Sequence, residues 1–247
     1  MKLLRSLASP ASAIILVAFA LAVSVPAHAD PVAWTNWSSQ TSGNPGSASG
    51  TMGGTTVTYS GQILGVASDY PSFDPASSYT SVAIDNAPPA SDGVIEMNGG
   101  SDLSESITFS APVVNPIIAI WSLGAAGVSA SFDFTPSEPF TVVAGGPSAE
   151  YGGSSIYQGT GADAGNAYGQ EGNGVIELIG TYSTIDFTTP EYEGWYGFTV
   201  GEDTVLNDPP TVTPEPGTLS LFCLGLGLAA LPVLRNSKAR RRLVHKA

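Results

Sequence analysis

The sequence predicts an all-β fold, an antiparallel β-sandwich or jelly roll, and three observations support this prediction. Short runs rich in Val, Ile, Phe, Thr and Tyr alternate with Gly, Pro, Asn, Asp and Ser, which is the pattern of strands joined by turns. No stretch of the central part has the periodicity of an amphipathic helix. Aromatic residues make up 9% of the 247 residues and charged residues only 12%, so the composition suits a folded, loop-rich domain.

Ten segments of the central part have the composition of short strands: residues 55–61, 81–85, 93–97, 105–110, 115–124, 128–134, 140–145, 174–180, 183–188 and 195–201. The continuous apolar run at residues 117–120 predicts a strand that is covered on both faces. Alternation at Ile107 and Phe109, and again at Phe132 and Phe134, predicts strands with one buried face. Residues 38–54 contain few bulky side chains, and we expect them to form an exposed loop.

The charges of the chain are unevenly distributed. The formal net charge is −13, yet residues 30–213 contain no Lys, Arg or His. A field of this sign repels phosphate, which excludes nucleic acid as a partner. The cation that suits such a domain outside a cell is Ca²⁺, which prefers carboxylate and carbonyl oxygens, and its candidate ligands are Asp85, Asp92 and Asp102. The single cysteine, Cys223, excludes an intramolecular disulfide and a cysteine-based site in the central domain.

Residues 1–29 have the composition of a secretory signal peptide. Lys2 and Arg5 form a basic start, residues 11–23 form an apolar run, and small residues follow it. The expected cleavage site consists of Ala27, His28 and Ala29, with Asp30 as the first mature residue. We therefore expect signal peptidase to release an exported domain of residues 30–201, followed by a linker of residues 202–213.

Residues 214–247 combine three different elements. Pro214, Glu215, Pro216 and Gly217 are followed by an uncharged apolar run, residues 218–234, which as a helix spans roughly 25 Å at ~1.5 Å per residue. That length is at the lower limit for crossing a bilayer. A basic cluster comes next, and the positive-inside bias keeps it in the cytoplasm. The cluster consists of Arg235, Lys238, Arg240, Arg241 and Arg242.

The order and spacing of these elements resemble the PEP-CTERM sorting signal of exported proteins in Gram-negative bacteria. The resemblance implies that an exosortase, a membrane-embedded protease, recognises Pro214, Glu215 and Pro216 and passes the protein to the cell surface or the exopolysaccharide matrix. It also implies that residues 218–234 are a transient inner-membrane anchor and that the basic cluster is its stop signal. Two departures are visible, because Pro232 interrupts the anchor and the tail continues to Ala247.

The central domain lacks the residues of common catalytic centres. Without His, Lys or Cys, acid–base chemistry is limited to carboxylates, and the reaction class that works with two carboxylates is glycoside hydrolysis. Glu171 with Glu177, or Glu191 with Glu193, could supply such a pair.

A binding module is the other alternative for this domain. Aromatic side chains near its ends, with carboxylates close by, could stack on sugar rings of an extracellular polysaccharide. The candidates are Trp34, Trp37, Tyr192, Trp195 and Tyr196. The favoured interpretation is a non-enzymatic surface or matrix protein, with carbohydrate binding and a carboxylate glycosidase as the alternatives.

Overall fold

The computed structural model describes residues 31–68 and 70–204, and it confirms the all-β fold. Within these ranges the strands are β1 (Val32–Trp34), β2 (Asn36–Thr41), β3 (Gly43–Met52), β4 (Thr55–Ile63), β5 (Gly65–Ala67), β6 (Val94–Val114), β7 (Ile117–Leu123), β8 (Ala130–Phe134), β9 (Phe140–Gly145), β10 (Ser154–Ser155), β11 (Tyr157–Gln158), β12 (Asn166–Gly169), β13 (Gly172–Leu178) and β14 (Thr181–Asp203). Three 3-10 turns lie between them, at Ala76–Ser78, Ala90–Asp92 and Gly161–Asp163.

Two long strands, β6 and β14, take part in both layers of a bent sheet. In the first layer the order is β2, β3, β4, β6, β14, β8, β12 and β11. In the second layer it is β5, β6, β14, β7, β13 and β9, with β1 beside the end of β14. Apart from a two-residue parallel pairing of β10 with β13, these pairs are antiparallel. The arrangement is consistent with the expected β-sandwich.

Each long strand bends where it passes from one layer to the other. Gly99 and Gly100 have φ angles of 64° and 76° in the middle of β6, a conformation that glycine adopts without steric cost. Opposite them, the register of β14 shifts between Thr189 and Tyr196. The sequence predicted one strand before each bend and a separate strand after it, but in each case the two are one continuous strand.

The main core fills the space between the layers. Tyr59 and Phe187 from the first layer and Ile118 and Phe198 from the second are at most 1% exposed. The Tyr59 and Phe198 rings meet edge to face, with centroids 5.1 Å apart. Burying each such side chain contributes about 1.5–3 kcal/mol to folding.

The central strand β7 is buried along its whole length, as predicted from its apolar run. It lies between β13 and β14, and all seven residues are buried. Ile118 and Ile120 belong to the main core, whereas Ile117, Ala119 and Trp121 belong to a second cluster on the other face. The predicted alternation also holds in β6, where Ile107 and Phe109 are buried and the residues beside them are more exposed.

An irregular segment covers that second cluster. Phe73, Tyr79 and Ile84 pack there against the outer face of the second layer. The prediction of a strand at residues 81–85 is therefore wrong, because these residues belong to the irregular segment and form none of the strands of the sheet. Pro88 and Pro89 follow it, and proline lacks the N–H that a central strand donates.

Residues 38–54 are also not the loop that their composition suggested. They form most of the β2 and β3 hairpin, which continues the first layer beyond β4. Bulky side chains are few because the inward positions leave little room: a Cβ added at Gly50 would lie 2.8 Å from Cγ2 of Thr35. Small inward residues and hydroxylated outward residues thus produce a strand that resembles a loop in composition.

A carboxyl group is buried where β4, β6 and β14 meet. Glu105 is 1% exposed and accepts hydrogen bonds from the Tyr59 hydroxyl at 2.7 Å and from Oγ1 of Thr189 at 3.0 Å. Burial raises the pKa of Glu105 to about 7, although these hydrogen bonds act in the opposite direction.

The two ends of the described region meet. β1 pairs with the last residues of β14, and the backbone N–H of Thr204 donates to the carbonyl of Pro31 at 3.1 Å. β14 ends at Asp203, two residues beyond the expected domain boundary, and Glu202 is 6% exposed. Since this region contains its own core and closes on itself, we expect it to fold independently.

Candidate functional site

Three of the five aromatic residues expected at a sugar-binding surface are core residues. Trp34 is 6% exposed and its Nε1 donates to the carbonyl of Asn86 at 3.0 Å. Trp37 is 8% exposed and its Nε1 donates to Oγ1 of Thr199 at 3.1 Å. Tyr196 is completely buried. The prediction of ligand stacking is wrong for these three, because their ring faces are covered by the protein.

The other two aromatic residues are accessible. Tyr192 is 68% exposed and lies over Gly100 at the bend of β14. Trp195 is half-buried, and its ring packs edge to face on Trp121 with centroids 4.7 Å apart. Nε1 of Trp195 donates to Oε1 of Glu96 at 3.0 Å, which fixes the orientation of the indole.

Tyr151, which sequence reasoning missed, lies beside Trp195. It is 46% exposed, and its ring centroid is 6.2 Å from that of Trp195 and 6.0 Å from that of Trp121. We call Tyr151 and Trp195 the aromatic surface. The only sign of Tyr151 in the sequence is an aromatic residue inside a Gly-rich turn, where core packing does not require one.

Asn173 ties the turn that carries Tyr151 to the sheet. Its Nδ2 donates to the carbonyls of Gly152 and Glu171, at 3.2 and 2.9 Å. Its Oδ1 accepts from the backbone N–H of Ser122 at 2.8 Å and from the Tyr79 hydroxyl at 3.2 Å. Because Asn173 is fully buried, these bonds hold the aromatic surface from below.

Two residues next to the aromatic surface have unusual backbone conformations. Ser122 and Glu171 have φ angles of 59° and 51°, which residues other than glycine rarely adopt. Oγ of Ser122 donates to Oε2 of Glu171 at 2.6 Å. Such conformations cost about 1–3 kcal/mol each and tend to occur at functional sites. Their direct contact makes this place the candidate functional site.

Glu193 lies at the same site. It is 5% exposed, and its Oε1 accepts a hydrogen bond from the backbone N–H of Gly124 at 2.9 Å. Burial, together with a smaller contribution from the nearby Glu171, raises the pKa of Glu193 to about 8, although the bond from Gly124 acts in the opposite direction. The side chain is therefore neutral at pH 7.

The structure does not pair the glutamates as the sequence suggested. Glu177 accepts from Nδ2 of Asn115 at 3.3 Å, near the opposite end of β13 from Glu171. Oε2 of Glu191 accepts from the N–H and the hydroxyl of Ser131, at 3.1 and 2.9 Å, away from the anchor of Glu193. Instead, Glu171 and Glu193 come together, because their hydrogen-bond donors are two residues apart in the chain.

The three aspartates expected to bind calcium are not grouped in the structure. Within residues 31–68 and 70–204 no three His, Cys, Asp or Glu side chains are grouped so that they could hold a metal ion. Asp85 and Asp102 are exposed in separate segments, and Oδ1 of Asp92 accepts from Nδ2 of Asn36 at 3.1 Å. Calcium binding by the domain stays a prediction, because unpaired acids along a sequence give no information on which of them converge.

The predicted signal peptide, its cleavage site, the Pro-Glu-Pro motif, the anchor and the basic cluster all lie outside the described residues. In the part that the structure describes, no helix has the length and apolar character needed to cross a membrane.

The chain matches no protein-family model, no curated protein and no solved structure. Its function is therefore inferred from the geometry of the site and from the sequence.

Proposed function

We propose that the protein is exported, sorted to the cell surface or the extracellular matrix, and binds polysaccharide there without catalysis. Its acidic β domain supplies the binding site at the aromatic surface, and the two terminal segments direct its export and sorting.

The observation that carries the binding proposal is the pair of accessible rings at Tyr151 and Trp195 with carboxylates around them. Flat aromatic faces suit the apolar side of a sugar ring, and carboxylate oxygens accept hydrogen bonds from its hydroxyls. Glu96 already orients Trp195, and Asn173 holds the turn of Tyr151, so the rings lose little freedom on binding.

Calorimetric titration of residues 30–212 with soluble neutral oligosaccharides tests this site. Trp195→Ala should weaken binding by tenfold or more, because stacking contacts of this kind carry much of the affinity. Tyr192→Ala is the matched control, because Tyr192 is an exposed aromatic residue of the same strand that lies over Gly100 and is not part of the aromatic surface. Equal affinity of the wild type and Trp195→Ala would contradict the proposal, as would the absence of heat with every sugar.

The sorting part of the proposal rests on the resemblance of residues 214–247 to a PEP-CTERM signal and on the predicted signal peptide. Signal peptidase and an exosortase would process the chain, which would remain in the inner membrane only transiently. Intact-mass measurement of the protein from cells with and without an exosortase checks this. A chain that ends at Ala247 in both would indicate a permanent anchor.

Hydrolysis of a glycosidic bond is a second candidate function, favoured by one observation. Glu193 is neutral at pH 7 and has Glu171 close to it, which matches the acid and carboxylate that such reactions use. However, Glu193 is only 5% exposed, and its carboxyl is already bonded to Gly124. Binding without hydrolysis is therefore better supported.

The two functions differ in the response to Glu193→Gln. If the domain only binds, the variant should leave oligosaccharide affinity unchanged, and the wild type should release no reducing ends. Release of reducing ends by the wild type and its loss in Glu193→Gln would establish hydrolysis.

A further inference from the structure

The outer side of the first layer carries a regular array of hydroxyl groups. Residues directly opposite each other on β3, β4, β6 and β14 form two rows across the sheet. The first row is Ser49, Thr58, Thr108 and Thr184, and the second is Ser47, Ser60, Ser106 and Asp186. We call these eight residues the hydroxyl grid.

The spacing of the grid follows from sheet geometry. Neighbouring strands lie about 4.8 Å apart, and alternate residues on one strand lie roughly 6.8 Å apart. Each hydroxyl can donate one hydrogen bond and accept others. Apart from Asp186, whose carboxylate only accepts, the grid is thus a rectangular lattice of groups that are both donors and acceptors.

Packing in the core beneath the sheet holds the backbone of the grid residues in place. Val57, Tyr59, Ile107 and Ile185 alternate with grid residues and are completely buried in the main core. A shallow cavity of about 130 Å³ lies where the grid meets β2, and Gln40, Ser49 and Thr58 contribute to its lining.

The grid is nearly free of charge, although the chain has a net charge of −13. Asp186 is its only ionisable residue, and Oδ1 of Asp186 accepts from Oγ of Ser106 at 2.6 Å. A cationic partner would find little attraction here, whereas a neutral polyhydroxylated surface would meet donors and acceptors without like-charge repulsion.

We propose that the hydroxyl grid binds a flat, neutral polysaccharide surface. Each hydroxyl contact replaces a contact with water and contributes little alone, so the grid does not retain a short soluble sugar. An extended surface engages many contacts at once, and their effects multiply. The grid lies on the first layer and the aromatic surface on the second, so the two sites face opposite sides of the domain. The inference therefore does not depend on the function proposed for the aromatic surface.

Sedimentation of residues 30–212 with microcrystalline cellulose and with chitin particles tests the grid. The double variant Thr58→Val and Thr108→Val removes two hydroxyls from adjacent strands and keeps the β-branched shape that strands favour. We expect its apparent affinity for at least one particle to fall by about tenfold, from the loss of two hydrogen-bonding groups. Thr141→Val with Thr160→Val, both exposed and outside the grid, is the matched control and should bind like the wild type.

Trp195→Ala separates the two sites. Retained particle binding by Trp195→Ala, with loss in the grid variant, supports the grid whether or not the aromatic surface binds soluble sugars. Failure of the wild type to sediment with either particle would overturn the grid, and so would equal binding by the grid variant. Circular dichroism and urea unfolding of each variant would show that the fold is unchanged, and a grid variant that unfolds would be replaced by Thr108→Ala with Thr184→Ala.

Discussion

Replacement of the buried Glu105 by glutamine should change how the stability of the domain depends on pH. The folded pKa of Glu105 is about 7, compared with an ordinary value of 4.5. A carboxyl whose pKa rises on folding contributes stability that is fully present below its unfolded pKa. That stability is lost as the pH rises through the folded pKa.

The size of the loss follows from the two pKa values. At about 1.4 kcal/mol for each pH unit, the difference between 4.5 and about 7 amounts to about 3 kcal/mol. Solvent screens this effect only weakly, because Glu105 is 1% exposed. Residues 30–213 also contain no Lys, Arg or His that could form an ion pair with its carboxylate. The loss should therefore occur between about pH 4.5 and about pH 8.

Urea unfolding of residues 30–212 at intervals from pH 4 to pH 9 measures this loss. The amide that replaces the carboxyl in Glu105→Gln stays neutral, so the free energy of unfolding of this variant minus that of the wild type should rise by about 3 kcal/mol over this range. Taking the difference cancels the other titrating groups, including Glu193. Asp102→Asn, at an exposed position of the same strand, is the control for the removal of a carboxyl. A difference for Glu105→Gln that is constant within about 0.5 kcal/mol would refute the reasoning.

Three further predictions concern packing and the site. Gly127→Ala should cost about 1–2 kcal/mol, because its φ of 80° is unfavourable but its surroundings are open, whereas Gly99→Ala should cost at least twice that, because its Cβ would press on the backbone of β14. Urea unfolding of both variants checks this, and equal costs would contradict it. Asn173→Ala should destabilise the fold by about 2–4 kcal/mol, because it leaves buried hydrogen-bonding groups unpaired. It should also weaken oligosaccharide binding, although Asn173 lies beneath the aromatic surface. Unchanged binding would show that Asn173 does not position the rings. Trp121→Phe should cost less than Trp37→Phe, because both changes remove the same ring volume but only Trp37 loses a hydrogen bond, since the buried Nε1 of Trp121 has no partner in the described region. Urea unfolding of the two tryptophan variants tests this, and equal losses of stability would count against it.

Much of the fold could be predicted from the sequence because its signals are local. The apolar run of β7 and the alternation around Ile107 follow directly from which faces are covered. The hairpin at residues 38–54 could not be predicted, because Ala48 and Gly50 occupy inward positions of β3 and Met52 is the only bulky side chain among them. Close backbone approach selects these small residues, and composition alone assigns them to loops.

The candidate site was only partly predictable because it is built from distant segments. Trp195 was expected, but its neighbour Tyr151 comes from a turn about forty residues earlier, and Glu171 comes from a third segment. The bend of β14 also separates Glu191 from Glu193, although spacing along a straight strand would place them on one face. Such convergence depends on long-range pairing, which is not visible in local patterns.

The most direct measurement is intact-mass analysis and quantification of the protein in washed extracellular matrix from producing cells. If the protein is sorted and binds polysaccharide, the wild type should be retained as a chain that begins at Asp30 and ends near Pro216. Trp195→Ala should be processed in the same way but retained several-fold less. A chain that still ends at Ala247 and stays with the membrane, or equal retention of both proteins, would contradict the proposed function.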